Sequence, residues 1–367
     1  MSCFYRKLIR PVLFARDAER AHDLALGALA TVSRDEFLCD LLGKAFGSPP
    51  LPVRMFGLDF PNPVGLAAGM DKFAAAVPAW EKLGFGFCEL GGVTWHPQPG
   101  NPAPRMFRAV ADDAIVNRMG FNNSGAEAVA ERLAAWKRSG RWPKHPVGIN
   151  LGKSKVTPIE KAAGDYARSF GTLHGLADFF VINVSSPNTP NLRQLQDKAA
   201  LDEILVAIQE INVPALSRNA ATPLLVKVAP DLSFNALDEI LELAARRQIA
   251  GIVATNTTLE RPKTKDAAAQ GIYSETGGLS GRPLQKRSTD VIRHIYKQTK
   301  GKLPVIGVGG IFTADDAWEK ISAGASLVQV YTGMVYEGPG IARAIVKGLI
   351  QRMEREKVHD LAEIIGS

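Results

Sequence analysis

Eight short apolar runs recur along the chain: Val64–Ala67, Phe87–Leu90, Val147–Leu151, Phe179–Val184, Leu224–Val228, Gly251–Thr255, Pro304–Val308 and Leu327–Tyr331. Each is four to six residues long and most are rich in Val, Ile and Leu. That is the pattern of strands buried on both faces of a parallel sheet. Stretches of helical period separate them. In Leu201–Val213 apolar residues fall at 201, 204, 205, 208 and 211, and Ala236–Ala245 follows the same spacing. Strand alternating with helix eight times predicts an α/β fold, a (β/α)8 TIM barrel. An open, doubly wound sheet is the alternative arrangement.

The run starts are unevenly spaced. The next start lies 60 residues after the second run and 53 after the sixth, against 23 after the first and the seventh. The extra chain, Gly91–Ser124 and Thr257–Leu284, is rich in Gly, Pro and polar residues and predicts lids or binding loops. Residues 1–50 stand outside the alternation, so the chain divides into an N-terminal helical segment, 1–50, and a barrel, 51–367. Tyr5, Leu8, Ile9, Val12 and Leu13 share one helical face; after Asp17, a natural N-cap, Ala21, Leu24, Ala25, Ala28, Leu29 and Val32 share another. Pro11 is expected to separate or kink the two helices, and Ser48-Pro49-Pro50 closes the segment. Residues 1–34 carry six Lys/Arg against three Asp/Glu. Two readings follow: a helical cap packed on the barrel, or a helical pair lying on an anionic bilayer.

Composition narrows the class. Hydrophobic residues are 46% of the 367 and charged residues 22%, which excludes disorder, collagen and coiled coil for the chain as a whole. A net charge of +7 permits an anionic partner without choosing one. Cys3, Cys39 and Cys88 form neither a disulfide framework nor a zinc spacing, which points to a reducing compartment. The longest uncharged N-terminal stretch, Leu24–Ser33, is far shorter than a membrane span, and no signal-peptide pattern is present. The expectation is a chain neither secreted nor membrane-spanning.

Chemistry in such barrels gathers at the C-terminal ends of the strands. Here those ends carry Ala68-Gly69-Met70-Asp71-Lys72, Gly91-Gly92, Asn150, Asn183 with Ser185-Ser186-Pro187-Asn188, Lys227, Thr255-Asn256-Thr257, Gly309-Gly310 and Tyr331-Thr332-Gly333. Amides, hydroxyls and lysines suit a planar heterocycle with carbonyl and ring-nitrogen edges. The glycines after runs seven and eight adjoin helix starts, where exposed backbone N–H groups suit a phosphate. No paired carboxylates and no metal spacing such as H-x-x-x-H occur, and the six histidines are scattered as surface or capping residues. "GINLGKS" imitates a phosphate-binding loop, but Val147 stands where that motif needs Gly. "GFGFCE" at Gly84 lacks the third glycine of a dinucleotide fingerprint. FMN with redox chemistry fits this inventory, with Lys227 near the flavin, stabilising negative charge on the reduced ring.

The stretches "FPNPVGLAAGMDK", "QPGNPAPRMFR", "NRMGFNNSG", "VINVSSPNTPNLR", "VKVAPDL", "ATNTTLERP", "GGLSGRPL" and "IGVGGI" together resemble the class 2, quinone-dependent dihydroorotate dehydrogenases, and the likeness runs from Asp17 to the "VYEGPG" that starts at Val335. It implies oxidation of dihydroorotate to orotate in de novo pyrimidine biosynthesis. Ser186 would take the proton from C5 while hydride passes from C6 to FMN. Lys72, Asn117, Arg118, Met119, Gly120, Phe121, Asn183, Asn188, Asn256 and Thr257 would hold the substrate. Ala68, Gly69, Met70, Asp71, Lys72, Gly92, Asn150, Asn183, Lys227, Thr255, Gly281, Gly310, Tyr331 and Thr332 would bind FMN. Ubiquinone or menaquinone would reoxidise the flavin through a tunnel under the N-terminal helices, near His22, Arg105 and Tyr331.

Ser186 in place of Cys at the base position, together with the N-terminal extension, separates this chain from the soluble class 1 enzymes. The resemblance thus implies a peripheral membrane protein on the cytoplasmic face of the inner membrane. It implies no nucleic acid and no obligate protein partner. A basic C-terminal RNA domain, expected of a tRNA dihydrouridine synthase, is absent from the sequence. Gly92 departs from the pattern, which more often has Thr or Ser there, so a hydroxyl contact to FMN would be lost.

Overall fold

The computed structural model describes residues 4–189, 191–212 and 221–367, so Cys3, Pro190 and Val213 lie outside the described residues. Each apolar run becomes a strand: β1 Val64–Leu66, β2 Phe87–Val93, β3 Val147–Leu151, β4 Phe179–Asn183, β5 Leu224–Val228, β6 Gly251–Ala254, β7 Val305–Val308 and β8 Leu327–Val330. All pair in parallel, in chain order, and β8 pairs with β1 to close the barrel. The open-sheet alternative is thereby excluded.

Period-2 alternation sends every second side chain inward. At the N-terminal end the inside is filled large against small. A Cβ at Gly65 would come within 2.3 Å of the Phe87 ring, and one at Gly148 within 2.1 Å of the Phe179 ring. Below them a hairpin, Val53–Met55 and Leu58–Phe60, brings Phe60 edge-on to Phe87 at 5.3 Å between centroids. The barrel is therefore plugged with aromatic rings at one end, and polar side chains can gather only at the other.

The predicted helices form with their apolar stripes inward. Helix Phe234–Arg246, capped by Ser233, buries Leu237, Ile240, Leu241, Leu243 and Ala244. Helix Lys198–Gln209, capped by Asp197, buries Leu201, Ile204, Leu205 and Ile208. Ile211 lies beyond its end and is partly exposed.

The two long insertions are more ordered than loops. Met106–Ala109 pairs antiparallel with Ala114–Asn117, which pairs in turn with Gly278–Gly281 from the second insertion. A small three-stranded sheet results. The Gly and Pro content around these short segments masks their alternation in the sequence.

The N-terminal segment holds a π-helical turn, Tyr5–Ile9, running into helix Arg10–Phe14, then helices Ala18–Val32 and Glu36–Phe46. Pro11 does not make the break. It sits in the first turn of its helix, where its missing N–H is not required, and the chain turns at residues 15–17. Asp17 caps the next helix by accepting from Glu19 N and Arg20 N, both at 3.0 Å. The shared apolar faces point mostly to solvent: Phe37 is 75% exposed and Val12 61%, with Phe4, Leu8, Leu24 and Leu41 also exposed. A plain helical cap would bury them against the barrel. The segment is tied to the barrel through named contacts and through Leu26, Leu29, Leu42 and Phe46, which pack on the core. Tyr5 Oη donates to Val335 O at 2.8 Å, Glu19 pairs with Arg105 at 2.6 Å, and Phe14 packs under the Arg108 guanidinium and against Tyr336. No helix among the described residues is long and apolar enough to cross a membrane.

Candidate active site

At the C-terminal end of the barrel a cavity opens among the strand ends. Its floor is polar because four strands place a polar residue where the packing layers below hold Phe, Val or Leu. Glu89, Asn150, Lys227 and Gln329 are all at most 5% exposed. Asn150 Nδ2 and Gln329 Nε2 each donate to Glu89 at 2.6 Å, and Lys227 Nζ stands 3.6 Å from the same carboxylate. Asn183 Nδ2 donates to Asn150 Oδ1 at 2.8 Å, and Asn183 Oδ1 accepts from Ser185 Oγ at 3.0 Å and Asn256 Nδ2 at 3.2 Å. A continuous hydrogen-bonded layer thus crosses the barrel from β8 to β6.

Above it, the turn after β4 carries Ser186, nearly buried, whose Oγ accepts from Asn188 N at 3.3 Å. Asn188 Nδ2 donates to Asn117 Oδ1 at 3.2 Å, and Asn101 Nδ2 donates to Asn188 O at 3.1 Å. The first insertion therefore holds the Ser186 turn from outside. Lys72 comes in from the β1 end. Burial outweighs the help of Glu19 and pushes its ammonium down to about 8.

The fourth side of the cavity is glycine-rich. Gly281, Gly309, Gly310 and Gly333 line it with Thr332, whose Oγ1 donates to Ser280 Oγ at 2.8 Å. Gly310 has φ +73°, and a Cβ there would strike Gln285 at 2.4 Å, so only glycine leaves that backbone accessible. A phosphorylated flavin fits these residues. Two buried polar atoms of cavity-lining residues, Gln329 Oε1 and Asn188 Oδ1, have no partner among the described residues, as groups awaiting a ligand or water would.

Of the residues expected to hold substrate, Lys72, Asn117, Met119, Gly120, Phe121, Asn183, Asn188, Asn256 and Thr257 line this cavity together with Ser186. Of those expected at the cofactor, Ala68, Gly69, Gly92, Asn150, Lys227, Thr255, Gly281, Gly310, Tyr331 and Thr332 line it. Three of the expected residues lie outside that lining. Arg118 points away: it pairs with Glu275 at 2.6 Å and covers the Phe107 ring. Asp71 is consumed by its own turn, accepting from Ala75 N, Ala76 N and Trp80 Nε1. Met70 packs in the core outside the lining.

Of the tunnel residues, Tyr331 is in the cavity wall, and burial pushes its phenol up to about 12. His22 is partly buried beside Lys72; burial, aided by that cation, pushes its imidazole down to about 4. Arg105 is held by Glu19. Glu89, Gln329 and Ser280 join the site without having been expected from the sequence. Glu89 and Gln329 sit inside apolar runs, and their inward register, two residues from Phe87 and from Tyr331, is the signal that could have found them.

Gly92 has a steric cause. A Cβ there would meet the Phe121 ring at 2.6 Å, and one at Gly152 would meet it at 2.8 Å. Phe121, at φ +54°, lies wedged between the two glycines. Gly92→Thr is therefore expected to push Phe121 and its loop outward. A rise in KM of several-fold with kcat and bound flavin retained is the expected kinetic result, and unchanged KM would show that the ring moves freely.

A family profile described as Dihydroorotate dehydrogenase matches residues 50–353. Curated relatives include a protein named dihydroorotate dehydrogenase (quinone) from Gloeobacter violaceus, 53% identical over 98% of each chain. One of the same name from Acaryochloris marina is 50% identical over 99% of each. Among solved structures, a ligand-free DHODH from Eimeria tenella superposes with a TM-score of 0.85 at 38% identity, covering 95% of this chain and 99% of its own. The same organism's enzyme in complex with ferulenol gives 0.84 at 37%, covering 95% and 94%. With the barrel, its polar floor and the Ser186 turn in one cavity, these matches across almost the whole length decide the matter: the chain belongs to the quinone-dependent dihydroorotate dehydrogenases.

Proposed function

We propose that the protein oxidises dihydroorotate to orotate, with FMN as its bound flavin and ubiquinone or menaquinone as the final electron acceptor. One observation carries this reading: a single cavity combines a buried serine, a ring of amides, two lysines and a glycine-lined pocket at the barrel's phosphate-binding end. When bound, FMN would supply the hydride acceptor and the redox link to the quinone. Gly310, Thr332 and Gly281 would hold its phosphate, and Lys227, Asn150 and Thr255 its ring.

The remaining steps belong to side chains. Lys72 holds the substrate carboxylate, and Asn117, Asn188, Asn256 and Thr257 hold the ring amides, which orients C5 toward Ser186. Ser186 Oγ takes the C5 proton. The Asn188 N–H that donates to Oγ holds the oxygen in position, and the hydroxyl's own proton has to leave as the C5 proton arrives. Thr189, three residues on in sequence with a buried Oγ1 unpartnered among the described residues, is the group we assign to receive that hydroxyl proton.

Residues 1–50 serve as a membrane- and quinone-facing segment on the barrel, 51–367. Exposed Phe4, Leu8, Val12, Leu24, Phe37 and Leu41 beside Arg6, Lys7, Arg10 and Arg16 support peripheral attachment to an anionic bilayer at the cytoplasmic face of the inner membrane. His22, Arg105 and Tyr331 mark the quinone approach.

The test is one anaerobic cuvette. A yellow protein that bleaches with dihydroorotate and recovers its colour with a quinone is expected. A yellow protein indifferent to dihydroorotate would discard the substrate, and a colourless one that takes up no FMN would discard the cofactor.

Lys72 adds a pH dependence. A lysine pushed down to about 8 holds its charge below that pH and loses it above. KM for dihydroorotate is therefore expected to rise above about pH 8 by up to ~10-fold per unit, while deprotonation at Ser186 favours higher kcat. A KM flat from neutral to alkaline pH would remove Lys72 from the carboxylate site.

A further inference from the structure

Beneath the cavity floor one carboxylate faces three side chains that line the cavity. Glu89, two residues beyond Phe87 on β2, is fully buried inside the barrel. Asn150 Nδ2 donates to one oxygen at 2.6 Å and Gln329 Nε2 to the other, also at 2.6 Å. Lys227 Nζ lies 3.6 Å from the first. Every one of these neighbours is a donor or a cation, which is the environment of an ionised carboxylate.

Two consequences follow. A carboxylate only accepts, so it fixes the Asn150 amide with its NH2 toward Glu89 and its Oδ1 toward Asn183, at 2.8 Å. The Asn183 oxygen is thereby turned to Ser185 and Asn256. Glu89 thus sets the donor and acceptor sense of the whole amide layer. Its charge also offsets that of Lys227 at the place where reduction of a flavin adds negative charge.

We propose that Glu89 is a positioning residue that sets the reduction potential of the bound flavin, by offsetting the Lys227 charge and orienting the amides around it. The inference rests on the functional reading that puts a flavin in this cavity. With Glu89 ionised, Lys227 stabilises the reduced flavin less than a lone cation would. The potential is held down, and electrons leave more readily for the quinone.

Glu89→Gln keeps the shape and removes the charge. The midpoint potential of the bound flavin, measured by spectroelectrochemistry, is expected to rise by at least ~30 mV, a tenfold change in a two-electron equilibrium. Reoxidation by quinone is expected to slow correspondingly. A residue that only packs would leave the potential where it is.

The double variant Glu89→Gln with Asn150→Asp moves the carboxylate to the neighbouring strand. The amide introduced on β2 can then donate to it, and it still accepts from Asn183. This swap is expected to recover at least half of the potential shift, and to recover the folded flavoprotein where Glu89→Gln alone does not fold. An unchanged potential in Glu89→Gln, or a swap that restores neither fold nor potential, overturns the inference. A wild-type protein that binds no flavin overturns the functional reading, and this inference with it. A yellow wild type whose potential ignores Glu89→Gln overturns this inference alone.

Discussion

Ser186→Ala is expected to slow orotate formation by roughly 10²–10⁴-fold while the flavin stays bound, the range associated with loss of a positioned general base. The substitution removes one oxygen from a nearly buried side chain, and no glycine-lined contact or floor residue depends on that atom. Among the described residues its hydrogen bond is the one it accepts from Asn188 N at 3.3 Å. Flavin content and dihydroorotate affinity should therefore change little, and the loss should fall on the chemical step. Anaerobic stopped-flow mixing with dihydroorotate reads that step without quinone. A serine is a weak base at neutral pH, so the wild-type rate should climb with pH, and the alanine variant should lose most of that slope. Single-turnover reduction close to the wild-type rate in Ser186→Ala would transfer the proton to another group.

The barrel is legible because its signal is redundant. Eight runs such as Val147–Leu151 and Phe179–Val184 could each be misread alone, but their alternation with capped helices such as Phe234–Arg246 leaves one architecture. The site is legible to the extent that strand ends are known in advance to face one mouth.

Side-chain direction is what the sequence hides. Residues 117–121 look like five consecutive contacts. Asn117 and Met119 reach the cavity, while Arg118 between them turns to Glu275. Extended chain alternates its side chains, and sequence adjacency conceals that. Asp71 is lost to the site because a turn needs its carboxylate more than a ligand does. Glu89 is invisible because a run of buried residues is scored by its apolar majority, and a charge inside it is legible only once the opposing strands are known. The contact between Gly92 and Phe121 joins residues far apart in sequence, which no local pattern encodes.

Removing residues 1–34 is expected to abolish turnover with membrane quinone, by ~100-fold or more, while reduction of a soluble dye acceptor by dihydroorotate stays within a few-fold. The eight strands and the floor they carry close without this segment, and the cut falls just before Asp35, which caps the next helix through Leu38 N. Phe4, Leu8, Ile9, Val12 and Leu24 of the segment face outward, and each Leu, Val, Ile or Phe leaving water contributes about 1.5–3 kcal/mol on full burial, with ~1 kcal/mol more for each basic residue at an anionic surface. Loss of Phe4, Leu8, Val12 and Leu24 with six basic residues therefore removes most of the attraction that would bring a water-insoluble quinone to the barrel. The same deletion removes Glu19, leaving Arg105 without its carboxylate, and takes His22 from beside Lys72. A milder variant, Leu8→Glu with Val12→Glu, alters only exposed positions and should weaken vesicle binding and quinone turnover together while dye reduction holds. Quinone turnover that survived the deletion would mean the electrons leave by another face of the barrel, and the outward apolar helices would need a different occupant.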